Sequence, residues 1–366
     1  MKLLVIGIGD CGCRLAGEFA RLNKMAKAKR HVSIVTGAYA FNNDQANLAA
    51  LAKTGREWLQ SVLIHGSLED EEKSAEAGAE LMRQESDRVI AAIRPGGSVE
   101  SDAFLFIAGA AGSLGSGGVP VVAQQLKQRY ADKPVYALIV LPFDSEIGEP
   151  QCVHNTAICL KAIGKIADAV ILVDNGGLRG GGNIAPNENM GSVNKEIVSL
   201  FYDLLCAGEM SGSGYVAAKV VDAGDIVQTL AGWTAIGVGE VRFSESAFPW
   251  RKIGDFRKRG LETATALEAM NSALARLSID CKLEDAGKAL YLLSAPAKQS
   301  NIDMTKDLGS RLRELAYNAE IRGGNFYGTA NLAQVTVVVS ELIYMDRIKN
   351  YYDRAVGLAR VENKGE

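Results

Sequence analysis

Residues 104–125 read FLFIAGAAGSLGSGGVPVVAQQ. A buried-strand run, Ala103 to Ala108, empties into a loop of glycines and serines, and Pro120 then opens a stretch of helix-forming residues. Glycine lets the backbone approach an anion and adopt positive φ. The N–H groups of such a loop and of the helix it opens lack partners and carry the positive end of the helix dipole. Strand, glycine loop and helix in this order form a seat for phosphate. The plainer reading, a flexible surface loop, fits poorly between a buried strand and a proline-started helix.

Working outward, 366 residues give room for two domains with sizeable cores. An apolar content of 48% with 39 glycines suits an α/β protein with many tight turns. A net charge of −3 argues against a nucleic-acid binder. No apolar run is long enough to span a bilayer. The start, Met1 to Gly7, reads as a strand entering a turn and lacks the apolar core of a signal peptide. Cysteines at 11, 13, 152, 159, 206 and 281 show no metal-ligand spacing and read as reduced core fillers. His31, His65 and His154 are likewise isolated, so no protein-held metal centre is expected. These features predict a cytoplasmic protein.

Leu3–Ile6 is a short buried strand followed by a glycine turn and a helix from about Arg14 to Leu22. His31–Val35 and Ala38–Phe41 read as strand ending at Asn42-Asn43-Asp44. An acidic stretch, Glu69–Glu72, leads into a helix that stops before Pro95. Val135–Leu141 and Ala169–Val173 are further apolar strands, each followed by polar turn residues. Strands apolar on both faces and alternating with helices predict a doubly wound parallel sheet, whose function gathers at the carboxyl ends of the strands. A glycine- and asparagine-rich connection, Gly176–Gly191, precedes a helical pattern over Ser192–Ala207, with Val193, Ile197, Leu200, Phe201 and Leu204 on one face. Beyond about Gly224 the pattern predicts strands at Ala235–Phe243, Ala289–Ser294 and Val335–Glu341 and helices at 261–277 and 305–318. The expected organisation is a nucleotide-binding domain over 1–190, a central helix and connection over 191–219, and a smaller mixed α/β domain over 220–366.

The first turn, Gly7-Ile8-Gly9-Asp10-Cys11-Gly12, matches the dinucleotide fingerprint GxGxxG. That fold expects an acidic residue about twenty positions on. The stretch Lys29 to Val35 supplies none, and a dinucleotide fold has no use for the second glycine loop at 109–118. No GxxxxGK[ST] occurs, which excludes a P-loop. What remains is a phosphate chain held by two glycine turns without a lysine, so a bound metal would have to neutralise charge.

Gly7–Gly12, Asn42-Asn43-Asp44, the loop Ala111-Gly112-Ser113-Leu114-Gly115-Ser116-Gly117, Pro142-Phe143 and the pair Asp222/Asp225 fall in the order and spacing of the tubulin/FtsZ superfamily. The loop resembles that family's GGGTGTG signature, and the resemblance covers essentially the whole chain. Val221–Leu230 resembles most closely the pattern of CetZ, the archaeal cell-shape group, and the chain lacks the long tail by which FtsZ recruits membrane adaptors.

The resemblance implies a GTPase of the cytoskeleton whose subunits stack head to tail into open protofilaments. Gly109, Gly112, Ser113, Leu114, Gly115, Ser116 and Gly117 would hold the phosphates of GTP or GDP with Mg²⁺. Gly9, Asp10, Cys11 and Gly12 would support them from below, with Asn43 also at the nucleotide. Glu146 would lie near the ribose, and Asn194 and Asn175 would read the guanine edge. Each subunit would supply half of the hydrolytic site, Asp222 and Asp225 acting on the neighbour's nucleotide by orienting or activating water. Three residues apart, they share one side of a helix's first turn, where helix capping is the plainer role.

Several positions depart from the family pattern. Asp10 stands where FtsZ has glycine and tubulin glutamine, so it would either help hold Mg²⁺ or weaken nucleotide binding. Val220 replaces an asparagine and Ser113-Leu114 replaces Gly-Thr, while the γ-phosphate-sensing segment, His65 to Glu72, is acidic. These departures weigh against fast turnover and keep open an alternative: a nucleotide-binding filament or scaffold with little GTPase activity. The cluster Arg251, Lys252, Arg257, Lys258 and Arg259, after Phe248-Pro249-Trp250, reads as a solvated face or, more sharply, as a lateral or weak membrane-surface contact. Cys11 reads as packing, although a helix N-terminus could lower its pKa.

Overall fold

The structure, a computed structural model, describes residues 1–53, 58–66, 73–93, 97, 99–175, 190–209, 220–243, 255–300, 302–328 and 330–362. The chain divides into two compact units, residues 1–199 with 345–366, and residues 200–344.

The first unit is built on parallel strands β1 (Leu3–Ile8), β2 (Val35–Asn42), β3 (Leu59–Leu63), β4 (Ala103–Gly109), β5 (Val135–Leu141) and β6 (Ala169–Asp174), ordered β3-β2-β1-β4-β5-β6. β1 and β5 are buried at every residue, and β4 and β6 at all but their last. This matches their unbroken apolar sequence, since helices cover both faces of a parallel sheet. The registers Gly7↔Ile107 and Gly109↔Val140 bring the carboxyl ends of β1, β4 and β5 side by side. β1 runs outward to β2 on one side and to β4 on the other, so the chain changes direction there and leaves a crevice.

Helix α1 (Gly9–Arg30) is longer at both ends than the predicted Arg14–Leu22. Gly9 takes φ +72°, a left-handed backbone open to glycine, and turns the chain straight from strand into helix. The far end closes on His31 at φ 57° with Lys27, Lys29 and Arg30 in the last turn, where cations meet the negative end of the dipole. His31–Ile34 is therefore not strand, and β2 begins at Val35. Between β2 and β3 lies α2 (Gln45–Lys53). The helical pattern before Pro95 breaks into α3 (Ala75–Gln84) and α4 (Ser86–Ile93).

The second correction falls in the stretch that decides the fold. Helix α5 spans Ser113–Arg129, so Pro120 lies inside it and does not open it. The glycines taken for loop are packing residues. A Cβ on Gly117 would fall on the Ala75 carbonyl and the Ala79 amide of α3. We predict that Gly117→Ala lowers stability by about 1–3 kcal/mol, the usual cost of overpacking, read from denaturant unfolding. Helices α6 (Pro150–Ile166) and α7 (Met190–Ser199) follow β5 and β6, with α7 packed on α1. The predicted central helix over Ser192–Ala207 is interrupted at Leu200-Phe201, and α8 (Tyr202–Ala207) belongs to the second unit. The connection at 176–189 lies outside the described residues.

The second unit holds α9 (Ala223–Thr229), β7 (Gly232–Arg242), α10 (Asp255–Ala275), β8 (Lys288–Ala295), α11 (Ile302–Leu315), β9 (Glu320–Tyr327) and β10 (Leu332–Leu342). Its strands run β7-β10-β8-β9, antiparallel except for the parallel pair β8/β9. This is the mixed α/β domain expected from the sequence, with β9 as an unpredicted fourth strand. Helix α12 (Asp346–Glu362) returns to the first unit and packs on α6. Its Arg347 reaches Asp144 at 2.6 Å and Asp174 at 3.1 Å. Among the described residues no helix is long and apolar enough to cross a membrane.

Candidate functional site

The carboxyl ends of β1, β4, β5 and β6 open onto a cavity of about 810 Å³ in the first unit. Two helices begin on it. The N-cap of α1 is Ile8 and that of α5 is Gly112, and neither supplies a side-chain bond to the helix. The first intrahelical bond of α5 runs from the Ser116 N–H to the Gly112 carbonyl at 2.9 Å. The N–H groups of Ser113, Leu114 and Gly115 thus have no partner within the helix, and all three residues line the cavity. Two uncapped N-termini meeting across a short glycine loop make a site for a polyanion.

Of the residues singled out from the sequence, Gly9, Asp10, Cys11, Asn43, Gly109, Gly112, Ser113, Leu114, Gly115, Glu146 and Asn175 line this cavity. Gly12, Ser116, Gly117 and Asn194 do not. Gly12 is buried in the first turn of α1, and Gly117 faces α3. The Ser116 hydroxyl is buried and donates to the Ser113 carbonyl at 3.2 Å, so it braces the first turn of α5. Asn194 is buried on α7.

The Asp10 carboxylate does not stand bare beside the glycine loop. Its Oδ1 accepts from Asn42 Nδ2 at 2.6 Å and from Asn47 Nδ2 at 2.8 Å. Asp44 caps α2, accepting the Ala46 and Asn47 amides at 2.8 and 3.1 Å. The extended α1 also corrects the dinucleotide argument. Positions 29–35 are the end of α1 and its connection to β2, whereas the true end of β2 carries Asn42-Asn43-Asp44, whose acid is engaged in that cap. Glu146 Oε2 accepts the Phe143 N–H at 2.7 Å and fixes its own turn. Asn175 Nδ2 donates to the Leu141 carbonyl at 3.3 Å, while its Oδ1 is buried without a partner. An orphaned buried acceptor on a cavity wall is costly unless a ligand donor meets it.

Burial pushes the Cys11 thiol up to about 12, with Asp10 and Glu146 adding to the rise against Arg14. Among the described residues no three His, Cys, Asp or Glu groups converge on a metal position. Mg²⁺ binds through one or two carboxylates together with substrate phosphates, and of the carboxylates on the wall Asp10 would be the one to hold it, since both oxygens of Asp44 are engaged at the start of α2.

Sequence reasoning missed several lining residues, Glu149, Asn155 and Lys73 among them. Glu149, N-cap of α6 without a capping bond, could have been found from Glu149-Pro150, a proline at a helix start. Asn155 and Lys73 carry no motif, and neither belongs to the two glycine turns.

In the second unit, Asp222 and Asp225 form a capping box on α9. The Asp225 N–H donates to Asp222 Oδ1 at 2.8 Å, and the Asp222 N–H to Asp225 Oδ2 at 3.3 Å. Arg322 Nη1 on β9 binds Asp225 Oδ1 at 3.0 Å and, through Nη2, Glu320 at 2.6 Å. Both carboxylates are thus held before any partner arrives. Of the basic cluster, Lys258 and Arg259 are exposed on α10, while Arg251 and Lys252 and the side chain of Arg257 lie outside the described residues, as does most of the acidic segment, residues 67–72.

Residues 2–182 match the Tubulin/FtsZ family GTPase domain, and residues 186–357 match the tubulin-like CetZ C-terminal domain. The tubulin-like protein CetZ1 of Haloferax volcanii is 31% identical over 97% of this chain and 92% of its own length. CetZ3 of the same organism is 30% identical over 98% and 93%. The solved structure of CetZ1 as a GDP-bound monomer superposes with a TM-score of 0.79 at 26% identity, covering 98% of this chain and 100% of that one. That of CetZ2 as a GTPγS-bound protofilament gives 0.80 at 25%, covering 99% and 100%. A cavity under two uncapped helices, a capping box on the second unit and relatives spanning both thus agree, and the chain belongs to the tubulin/FtsZ superfamily and, within it, to the CetZ proteins.

Proposed function

We propose that the chain binds GTP in the cavity of its first unit, assembles head to tail, and hydrolyses GTP where one subunit meets the next. The observation that carries this reading is the pair of uncapped helix N-termini on the glycine loop, with the unpartnered Asn175 Oδ1 on the same wall. A phosphate chain would take the amides of residues 113–115 and of Gly9 to Cys11. Asn175 Oδ1 would accept from the N1 and N2 hydrogens of guanine, with Asn194 assisting from α7. Glu146 and Glu149, on the same cavity wall, would accept from a ribose hydroxyl. Mg²⁺ bound with the phosphates would offset their charge beside Asp10.

For hydrolysis, Asp225 and Asp222 of one subunit would accept hydrogen bonds from a water and aim its oxygen at the terminal phosphorus bound by the next. The bond to the bridging oxygen then breaks, and inorganic phosphate and GDP result. The solved structure of CetZ2 is a GTPγS-bound protofilament, which supports the same stacking for this chain. Cell-shape control in the cytoplasm is the role that the family resemblance implies for such a filament.

One observation favours the scaffold alternative. The carboxylates of Asp222 and Asp225 are already engaged by the capping box and Arg322. Turnover against protein concentration, with sedimentation on the same samples, separates the two readings. Specific activity that climbs with concentration alongside a GTP-dependent pellet is the expected result. Flat or absent turnover with nucleotide bound gives the scaffold.

A further inference from the structure

We propose that Arg347, on α12, is a positioning residue for guanine recognition: it ties together the chain ends leaving β5 and β6 and so sets where Asn175 Oδ1 stands. The inference rests on the nucleotide reading above. Leu141 and Asp174 are register partners, so β5 and β6 end side by side. The chain leaving each turns onto the cavity wall, with Phe143 and Glu146 after β5 and Asn175 after β6. Asp144 lies inside the first of these turns, and Asp174 directly precedes Asn175. Arg347 holds both. Its Nη2 donates to Asp144 Oδ1 at 2.6 Å, and its Nε lies 3.1 Å from Asp174 Oδ2. The guanidinium does not itself line the cavity, so any effect on a ligand passes through these two residues.

The clamp differs from an ordinary surface ion pair. The side chains of Arg347 and Asp174 are 22% and 15% exposed, so little of the screening that weakens surface pairs reaches them. Tyr351, one turn further along α12 and buried, places its ring 5.8 Å from the guanidinium and fixes it from another side. A planar fork meets two carboxylates at once, which a lysine ammonium does with far less directional control. Arg347 is the second residue of α12, where the helix dipole disfavours a cation. The helix does not select it there; the two carboxylates do. Asn175 depends on such a tie. Among the described residues its side chain makes one hydrogen bond, from Nδ2 to the Leu141 carbonyl at 3.3 Å, beyond the usual range. Its Oδ1 is buried and open to a ligand donor. The aim of that acceptor therefore follows the backbone at 174–175, which Arg347 anchors through the Asp174 carboxylate.

The test is the affinity of the full chain, below its assembly threshold, for GTP and for ITP, which keeps the N1 hydrogen of guanine and lacks its 2-amino group. Each is read by displacement of a fluorescent GDP analogue. Wild-type protein is expected to prefer GTP, and Asn175→Ala to remove most of that preference. Arg347→Ala is expected to lower the GTP/ITP affinity ratio by about three- to tenfold, the worth of one misplaced hydrogen bond. Arg347→Met, which keeps an apolar stem over Tyr351, should do the same and carries the test where Arg347→Ala does not fold. Arg347→Lys restores the charge without the fork and should recover part of the ratio. In the Asn175→Ala background Arg347→Ala should change the ratio no further, because the acceptor it positions is gone. Equal weakening of GTP and ITP by Arg347→Ala or Arg347→Met, with a matching fall in melting temperature, makes the arginine structural and overturns the inference while the nucleotide reading stands. A further fall of the ratio in the Asn175→Ala background overturns the route through Asn175. Wild-type protein that binds neither nucleotide, or an Asn175→Ala ratio equal to wild type, overturns guanine recognition by Asn175 and the inference with it.

Discussion

Asp225→Asn lowers the GTP turnover of assembled polymer by about 10²–10⁴-fold, the range for losing a positioned acid–base group, while nucleotide binding and assembly persist. The substitution isolates charge from geometry. An asparagine oxygen can still accept the Asp222 N–H, and the backbone N–H of residue 225 still reaches Asp222 Oδ1, so the capping box survives. Arg322 keeps its second partner, Glu320. What disappears is the carboxylate that would orient or accept a proton from water. Asp222→Asn is the matched control for capping, because asparagine caps helices as well as aspartate does. It should leave stability unchanged and cost turnover less than Asp225→Asn does. The comparison belongs at saturating GTP above the assembly threshold, since the pair would act on a neighbour's nucleotide. Wild-type turnover in Asp225→Asn polymer would reduce the pair to a helix cap and hand the chain to the scaffold reading.

The parts legible in the sequence were those where one physical cause dominates. β1, β4, β5 and β6 read plainly because burial on both faces leaves only apolar residues. The strand–glycine–helix junctions read plainly because uncapped helix starts after a strand leave glycine behind. Their extent was misread for the same reason. Gly115, Gly117 and Gly118 resemble loop in composition, yet they lie in the helix and are packed closely, Gly117 and Gly118 against α3 and Gly115 against the ends of β1 and β4. Local propensity and helix–helix approach call for opposite residues there, and packing wins.

Two strands were overlooked. The residues of β3 are half-buried or exposed at every position and so lack an apolar signature. β9, with the sequence EIRGGNFY, carries two charged residues and two glycines, which lower its strand propensity. Lys73 and Asn155 were invisible because the bonds that Asn155 Nδ2 donates to the Lys73 and Ala111 carbonyls span dozens of residues and belong to the fold. No local pattern encodes them. Glu149, by contrast, could have been weighed beside Glu146, since a helix-opening proline marks the preceding residue as an N-cap.

Cys11 lines the cavity and invites the expectation of a reactive thiol, and the structure predicts the opposite. Burial dominates its environment and, with Asp10 and Glu146, outweighs Arg14, so the thiol rises from 9.0 to about 12. At pH 7.5 its thiolate fraction is then about a thousandfold below that of an ordinary cysteine, and alkylation follows the thiolate. Labelling with iodoacetamide, read peptide by peptide in a mass spectrometer, should be about a thousandfold slower at Cys11 than at a reference thiol. Its rate should climb tenfold per pH unit through pH 10, where an ordinary thiol levels off near 9. Cys159, buried in α6 and pushed up to about 12, reports any labelling that proceeds through global unfolding. The sign of the linkage is fixed by the same shift. Native protein holds protons that the unfolded chain releases above pH 9, so stability is full below 9 and falls as pH rises toward 12. The slope is about 1.4 kcal/mol per pH unit for each fully buried thiol. Denaturant midpoints should therefore drop between pH 9 and 10, and less steeply in Cys159→Ala. A Cys11 labelling rate that levels off near pH 7 to 8 would mean that the helix N-terminus prevails over burial. The nucleotide cavity would then carry an activated thiol after all.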